Sequence, residues 1–330
     1  MKALSLFSGG LDSMLAIRLM AMQGIEVTAL HMDIGFGSRG DKSELLRKRA
    51  ELAGAKFKII DIKNKYLQDV LLHPKYGYGK NFNPCVDCHG FMFKTALLML
   101  EDEGASFIVT GEVLGQRPMS QRKEALFNVS SLSGDENGLI LRPLCAKHLE
   151  PTTPELKGWV EREKLLDISG RGRTRQLAMA KEFGFDEFES PGGGCLLTMQ
   201  NFASKMKDAL KFEGLDTYLD TQILKFGRHL RLDDGAKVII GRDEKDNEGL
   251  ERVQNPKFSH IALPDDMVGA YSLISKNASK NDKLKACKFA LTYAKTSPNL
   301  EYEVAIDGEK FIASPFESKS QAQKYLVGLG

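Results

Sequence analysis

Short apolar runs alternate with amphipathic stretches along the first 140 residues, and this alternation restricts the fold more than any other feature. Strands are predicted at 2–7, 25–32, 56–62 and 106–111, and helices at 11–23, 42–53, 66–72 and 91–103. Parallel strands need a long crossover between them, and a helix is the usual crossover. The pattern therefore predicts an α/β domain, a doubly wound parallel sheet with helices on both faces. Two irregular segments, 73–88 and 169–198, interrupt it.

The sequence pattern changes near residue 200. Further helices are predicted at 202–212, at 278–294 (basic) and at the C-terminus, with strands at 222–226, 237–240, 259–263, 270–274, 302–306 and 310–313. A length of 330 residues also suits two domains, since a domain has roughly 150 residues. We therefore predict a first domain over residues 1–200 and a smaller α+β domain over 201–330.

Composition excludes several classes of protein. Lys plus Arg is 46 and Asp plus Glu is 44, so with a net charge of +2 a polyanion must be bound by a local patch. No apolar run approaches the roughly 18 residues of a membrane span, and the first one, ending at Phe7, is too short for a secretory signal. Five cysteines do not indicate a disulfide framework. We expect a cytoplasmic protein without membrane contact; the sequence does not indicate its oligomeric state.

The segment 8–13 (SGGLDS) lies between the first predicted strand and the first predicted helix. Ligands of α/β sheets bind there, where glycines let backbone N–H groups approach a phosphate and serine hydroxyls add donors. Asp12 would repel a bare phosphate, so we expect it to hold Mg²⁺ or to orient the cation that neutralises pyrophosphate. The alternative is a plain helix cap with Asp12 in the first turn. The candidate phosphate ligands are Ser8, Gly9, Gly10 and Ser13.

Three cysteines have the spacing of a functional set. Cys85 and Cys88 form a CxxC pair, and Cys195 follows three glycines much further along the chain. With His89 as a fourth ligand they suit a zinc ion, and three thiolates also suit a 4Fe–4S cluster with one open iron. A structural zinc or a redox pair at the CxxC is the alternative. The other two cysteines are expected to be buried in apolar surroundings: Cys145 and Cys287.

The segment 8–13 resembles the SGGxDS loop of the PP-loop ATP pyrophosphatases, which cleave ATP between the α and β phosphates and adenylate an oxygen. The resemblance implies an HUP-like fold with ATP and Mg²⁺ as ligands. It also implies that His31 and Asp33, at the end of the second predicted strand, lie beside the adenosine.

Further segments resemble tRNA-thiolating members of that family. Residues 83–94 (NPCVDCHGFMFK) and 190–195 (SPGGGC) look like the two cysteine segments of the tRNA 2-thiouridylases. Residues 110–116 (TGEVLGQ) and 139–144 (LILRPL) resemble the tRNA 4-thiouridine synthetases. The resemblance implies tRNA as a partner. It also implies pocket residues, with Arg142 stabilising charge: Gly111, Glu112, Gln116 and Arg142.

The CxxC pair with one distant cysteine resembles the iron–sulfur-dependent tRNA thiolases, in which three cysteines hold a 4Fe–4S cluster whose free iron binds the sulfur to be transferred. The resemblance implies free sulfide or a carrier protein as sulfur donor. The N-terminal RNA-binding module and the rhodanese domain of the synthetases are not found in the sequence. The alternative is thiolation through a persulfide on Cys195. The catalytic candidates are Asp12, Cys85, Cys88 and Cys195, the last three as cluster ligands.

Residues 238–250 (VIIGRDEKDNEGL) resemble the NFACT-type RNA-binding domain, which implies RNA contact by the second domain. Basic groups that either contact phosphates or form solvated faces are Arg117, Arg122, Lys123, Arg171, Arg173, Arg175, Arg228, Arg231, Lys276, Lys280, Lys283, Lys285 and Lys288. The leading hypothesis is an ATP-dependent tRNA sulfurtransferase. A PP-loop ligase for a small metabolite and a non-catalytic RNA adaptor are the other two hypotheses.

Overall fold

The computed structural model describes residues 1–37, 40–189 and 194–328. The chain divides into two units, residues 1–195 and 196–330. Each unit contains its own buried apolar core. In the described part of the chain, no helix combines the length and the apolar character that crossing a bilayer requires.

The first unit is built on a five-stranded parallel sheet of order β3-β2-β1-β4-β5. Its strands are β1 (Lys2–Leu6), β2 (Glu26–Asp33), β3 (Ala55–Asp61), β4 (Phe107–Thr110) and β5 (Ile140–Leu141). Its helices are α1 (Leu11–Ala21), α2 (Ser43–Ala53), α3 (Lys63–Tyr66), α4 (Cys85–Leu98), α5 (Lys123–Ser133), α6 (Thr153–Leu156) and α7 (Thr174–Glu182). The predicted doubly wound α/β fold is confirmed.

Alternate residues of the central strands enter two different cores. Ala3 and Val109 pack in the core that contains α1, whereas Leu4 and Ile108 pack in the core that contains Phe93 of α4. A parallel sheet is covered on both faces, so its central strands are mostly apolar. This explains why β1, β2 and β4 are visible in the sequence as short apolar runs, whereas the edge strand β3 is largely exposed.

The strand order reverses between β1 and β4. The chain leaves β1 through α1 and returns as β2 on one side, while β4 pairs with β1 on the other side. The carboxyl ends of β1 and β4 therefore border a crevice at the topological switch point, where α/β proteins bind ligands. Residues 7–10 follow β1 and residues 111–116 follow β4, so the two predicted nucleotide segments meet there.

Three predictions about the first unit are wrong in detail. Helix α4 begins at Cys85 and not at residue 91, because the buried Asp87 in its first turn accepts the backbone N–H groups of Lys75 and Tyr76. The irregular segment predicted at 73–88 therefore ends at Pro84. The segment predicted as irregular at 169–198 contains α7, and α5 was not predicted.

The second unit contains a six-stranded, antiparallel sheet of order β11-β10-β8-β9-β7-β6. Its strands are β6 (Arg228–Arg231), β7 (Lys237–Ile240), β8 (Phe258–Ala262), β9 (Ser272–Ser275), β10 (Tyr302–Ile306) and β11 (Glu309–Ala313). Its helices are α8 (Gln200–Phe212), α9 (Tyr218–Gln222), α10 (Glu244–Val253) and α11 (Lys280–Thr292). The predicted α+β class is confirmed.

The strand predicted at 222–226 is wrong. A capping box between Thr217 and Asp220 starts the short helix α9, and a 3-10 turn (Ile223–Lys225) continues it. Ile223 and Leu224 are buried, so their apolar character reflects packing and not strand pairing. The predicted terminal helix is a 3-10 helix (Lys319–Tyr325), and β6 and α10 were not predicted.

Candidate functional site

The turn between β1 and α1 is fixed by its own glycines and serines. Gly9 has a φ of 75°, and a Cβ on it would lie 2.4 Å from Leu46 Cδ2, so this position requires glycine. The Gly10 N–H donates to Ser8 Oγ at 3.3 Å, and Ser13 Oγ donates to the Gly10 carbonyl at 2.8 Å. The predicted phosphate loop is therefore a preformed turn at the N-terminus of a helix.

Two further segments hold this turn from outside. The Gly9 carbonyl accepts the backbone N–H of Glu189 at 3.2 Å and Arg49 Nη1 at 3.4 Å. Lys42 contacts the Glu189 carboxylate at 2.7 Å, and this hydrogen bond is the main reason that the pKa of Glu189 is lowered. The Gly9 carbonyl is thus engaged by the protein itself. Residues 190–193 of the predicted cysteine segment lie outside the described residues.

Asp12 lies in the crevice with one carboxylate oxygen uncommitted. Gln116 Nε2 donates to Asp12 Oδ2 at 2.6 Å. Asp12 Oδ1 is buried and has no hydrogen-bond donor among the described residues; Arg173 Nη2 lies 4.0 Å from it. A Cβ on Gly111 would lie 2.5 Å from the backbone of Asp12 and Ser13, so the end of β4 abuts the loop. A buried carboxylate oxygen of this kind is the ligand that Mg²⁺ prefers, and the residues fit the ion.

The two residues predicted beside the adenosine lie at the carboxyl end of β2. His31 Nδ1 is 3.1 Å from the Phe7 carbonyl, which ties it to the neighbouring strand end. Asp33 accepts the Gly35 N–H at 2.9 Å and contacts Lys63 Nζ at 2.9 Å. Both side chains are therefore held in place near the crevice, and contact with adenosine stays a prediction.

Glu112 is a buried carboxylate that lies between the side chains of His89 and Arg142. His89 Nδ1 lies 2.8 Å from Glu112 Oε1, and Arg142 Nε donates to Glu112 Oε2 at 3.0 Å. Burial alone would raise the pKa of Glu112, but the charge of Arg142 and the hydrogen bond from His89 outweigh it and lower this pKa. Glu112 is therefore ionised. Nδ1 of His89 is committed to Glu112, so Nε2 is the ring nitrogen that remains for a metal, and the suggestion of His89 as a zinc ligand stays a prediction.

The three spaced cysteines interact in the structure. Cys85 and Cys88 lie in the first turn of α4, and Asn83 Nδ2 donates to Cys85 Sγ at 3.2 Å. Although Cys88 as a residue is partly exposed, its thiol is enclosed, and burial raises its pKa well above the usual range. The charge of Cys195, and then that of Cys85, raises this pKa further. Cys195 is thus brought within electrostatic range of the CxxC pair.

The three thiols are the ligand type that soft metal groups take. Among residues 1–37, 40–189 and 194–328, no three His, Cys, Asp or Glu side chains converge as ligands of one metal ion. Thiolates bind both zinc and iron–sulfur clusters, so the zinc ion and the 4Fe–4S cluster both stay predictions. Burial raises the pKa of the Tyr66 hydroxyl well above its usual range, and the neighbouring Cys88 raises this pKa further, so the hydroxyl stays protonated beside the Cys88 sulfur.

The remaining two cysteines are fully buried, as predicted. Burial raises the pKa of Cys145 to about 11 and the pKa of Cys287 to about 12. Cys145 Sγ donates to the Glu112 carbonyl at 3.4 Å. Both are therefore neutral thiols at neutral pH and take a structural part.

Sequence reasoning missed two residues of the crevice. Gln176, fully buried on α7, donates from Nε2 to Gln116 Oε1 at 3.0 Å. Arg173, which the sequence grouped with RNA-contacting arginines, points at Asp12 instead. A polar helix after a glycine- and arginine-rich segment carries no sign of burial, so only the GRGRTR pattern signalled this region.

One suggested RNA contact is corrected by its burial. Arg231 has a side-chain exposure of 14 % and is held by Asp208 and Glu213 of the same unit. It is therefore unavailable to a phosphate backbone.

Two family matches cover most of the chain. Residues 1–150 match the family described as "Thiamine biosynthesis protein (ThiI)". The first unit is thus similar to this family over residues 1–150. Residues 227–325 match the "NFACT protein RNA binding domain". Both matches confirm the predicted resemblance to tRNA-thiolating PP-loop enzymes with an NFACT-like C-terminal domain.

Curated relatives match parts of this chain with 27% to 33% identical residues. A "Probable tRNA sulfurtransferase" of Thermococcus kodakarensis is 29% identical over 55% of this chain and 43% of that protein. One of Methanothermobacter thermautotrophicus is 33% identical over 43% of this chain and 36% of that protein. The "tRNA-specific 2-thiouridylase MnmA" of Azorhizobium caulinodans is 27% identical over 67% of this chain and 58% of that protein. The chain thus spans about half the length of the curated relatives it matches.

Proposed function

We propose that this protein is an ATP-dependent tRNA sulfurtransferase, which adenylates a uridine carbonyl oxygen and replaces it with sulfur. The observation that carries the proposal is a combination within one unit. A preformed phosphate loop with a half-free Asp12 lies at the switch point, and Cys88, in the first turn of α4, interacts with Cys85 and Cys195. Similarity to proteins named tRNA sulfurtransferase supports the choice of tRNA as substrate.

The nucleotide half of the reaction is assigned to the loop and to Asp12. A carbonyl oxygen is a poor leaving group, so it must first be activated. Attack of that oxygen on the α-phosphorus of ATP releases pyrophosphate and leaves AMP on the base. The N–H groups of the Ser8–Ser13 turn hold the phosphates, and Asp12 Oδ1 takes the Mg²⁺ that neutralises them. The oxygen then leaves with AMP.

The sulfur half is assigned to the three cysteines. We propose that Cys85, Cys88 and Cys195 hold a 4Fe–4S cluster, which when bound would supply the sulfur nucleophile. Asn83 orients the Cys85 sulfur through its 3.2 Å hydrogen bond. Tyr66 closes the side of the site away from solvent, since its ring is fully buried against Phe36.

The base has to be taken out of its stack to reach this crevice. Glu112, held ionised between His89 and Arg142, provides a fixed carboxylate near the cysteine pair, since its partner His89 directly follows Cys88. The second unit, which matches an RNA-binding domain, is proposed to bind the tRNA itself. The cytoplasm, where tRNA is modified under reducing conditions, is the proposed location.

Nucleoside mass spectrometry of tRNA tests the proposal directly. Cells without the gene should lack one thiolated uridine, and the gene should restore it. Unchanged thiouridines would contradict the proposal. Pyrophosphate release that needs a small metabolite and ignores tRNA would instead indicate a metabolite ligase.

The cluster is tested separately, by anaerobic purification. We expect a broad visible absorbance band in the wild-type protein and in Cys145→Ala. This band should disappear in Cys85→Ser, Cys88→Ser and Cys195→Ser. Colourless protein that thiolates tRNA would reject the cluster and favour a persulfide on Cys195.

A further inference from the structure

Three side chains form a hydrogen-bonded relay from α7 to the phosphate loop. The Asp12 carboxylate can only accept, so Gln116 must present its NH₂ group to it, at 2.6 Å. The Gln116 carbonyl is then left to accept from the Gln176 NH₂ group, at 3.0 Å. The orientation of both amides is therefore fixed by chemistry. Gln176 Oε1 is buried without a partner among the described residues.

The same end of α7 brings a cation to Asp12. Arg173 precedes the first residue of α7, and its side-chain exposure is 17 %. Its Nη2 lies 4.0 Å from Asp12 Oδ1, beyond hydrogen-bond distance, and its Nε is buried without a partner among the described residues. A guanidinium in this state has donors to spare, and anions that present two oxygens side by side, such as phosphates and carboxylates, pair with it best.

We propose that Arg173 binds the β- and γ-phosphates of the nucleotide, with Gln176 as a positioning residue that holds Asp12 through Gln116. The inference rests on the proposed adenylation. The pyrophosphate that leaves carries several negative charges, and in this crevice the Ser8–Ser13 turn and one cation on Asp12 would otherwise be alone in stabilising it. Arg173 moves from Asp12 to the phosphates when Asp12 takes Mg²⁺.

Burial favours the nucleotide over tRNA as the target of Arg173. An RNA backbone contacts arginines that protrude into solvent, such as Arg175 on the same helix, whose side chain is 51 % exposed. Arg173 is directed inward, at the loop that follows β1. The relay that ends on Asp12 starts one helical turn further along, at Gln176, so both residues face the same crevice.

Nucleotide binding to the intact protein, measured without tRNA, and tRNA binding, measured separately, test this. The probes are AMP and the ATP analogue with a methylene group between the α- and β-phosphorus, each with Mg²⁺. Arg173→Met should weaken binding of the analogue at least about tenfold, the loss of one charged hydrogen bond, and leave AMP binding unchanged. Arg173→Lys should recover part of the loss. The matched control is Lys181→Met, which removes an exposed charge at the other end of α7.

Each other outcome overturns the inference in a recognisable way. Equal affinity of wild type and Arg173→Met for the analogue rejects the phosphate contact and leaves the proposed function standing. Loss of tRNA affinity alone assigns Arg173 to RNA. An equal loss of affinity for AMP and for the analogue rejects a specific phosphate contact, because it indicates a distorted fold. Failure of the wild-type protein to bind the analogue rejects both this inference and the proposed function.

Discussion

Glu112 concentrates the charges of the crevice on one buried side chain. It is 4 % exposed, and both of its oxygens are used, one by His89 and one by Arg142. Glu112→Gln keeps the shape but leaves the buried Arg142 without a counter-charge, which should reduce the free energy of unfolding by about 3 kcal/mol. Urea denaturation measures this. Glu44→Gln is the control, because its pairs with Arg47 and Lys48 are exposed and should contribute less than about 0.5 kcal/mol. A similar loss for both variants would contradict the account.

Gln176 makes a second prediction, at the level of a single amide. Gln176→Leu removes the donor to Gln116, so Gln116 is free to turn away from Asp12. We expect the Mg²⁺ concentration for half-maximal binding of the ATP analogue to rise by about threefold to tenfold, since one neutral hydrogen bond is lost. Gln176→Glu should be worse, because its carboxylate would face the Gln116 carbonyl. An unchanged Mg²⁺ dependence with a lower melting temperature would show a purely structural role.

Elements differ in how much of them the sequence revealed. The central strands β1, β2 and β4 were predictable because they are largely buried on both faces and mostly apolar, as Leu4 and Ile108 illustrate, whereas the two-residue β5 was not predicted. The start of α4 was missed because it depends on Asp87 bonding to a loop twelve residues away in the chain. The switch-point position of the SGGLDS turn was predicted, whereas its link to Gln176 required knowledge of where α7 packs. Local chemistry is visible in a sequence; partners brought together by tertiary packing are not.

Helix α8 is joined to the sheet of the second unit by a buried ion network. Lys237 of β7 is fully buried and lies 2.8 Å from Asp208 and 3.1 Å from Glu213. Arg231 of β6 bonds to the same two carboxylates. Burial would raise the pKa of Asp208, but the hydrogen bond from Arg231 and the charge of Lys237 outweigh it and lower this pKa. The ionised Asp208 therefore contributes its full share to the free energy of unfolding above about pH 4, the pKa of an aspartate in the unfolded chain. This contribution is lost as the pH falls through the lower pKa that Asp208 has in the folded protein.

Asp208→Asn tests this network. It leaves Lys237 with one counter-charge fewer in a buried site, so the second unit should lose about 3 kcal/mol at neutral pH. The variant should also lose stability less steeply than wild type below about pH 4, because the titrating group is gone. Thermal unfolding across that pH range measures both effects. Lys310→Met, which breaks an exposed pair with Glu303, is the control. Parallel pH profiles for wild type and Asp208→Asn would contradict the assignment.

At the scale of the whole molecule, the second unit is held together by the ion network that joins α8 to its sheet as well as by its apolar core. The RNA-binding family match begins at residue 227, after α8. A fragment of residues 196–330 should fold and show a cooperative thermal transition. A fragment of residues 227–330 should not, since Lys237 would be buried without Asp208 and Glu213. Lys237→Met should increase the stability of the shorter fragment, because it removes the unpaired buried charge. Cooperative unfolding of the shorter fragment without that change would contradict the argument.

The two halves of the proposed reaction use different side chains, so they should be separable in the intact protein. Asp12, Gln116 and Arg173 lie at the phosphate loop, whereas Cys85 and Cys88 lie at the start of α4 and Cys195 interacts with Cys88. Cys195→Ser should abolish formation of thiouridine and still release pyrophosphate in the presence of tRNA, at a rate within about threefold of wild type, because transition-state contacts to the phosphates are kept. Asp12→Asn should abolish both. Loss of pyrophosphate release in Cys195→Ser would mean that adenylation waits for the sulfur, and that the thiols also organise the nucleotide site.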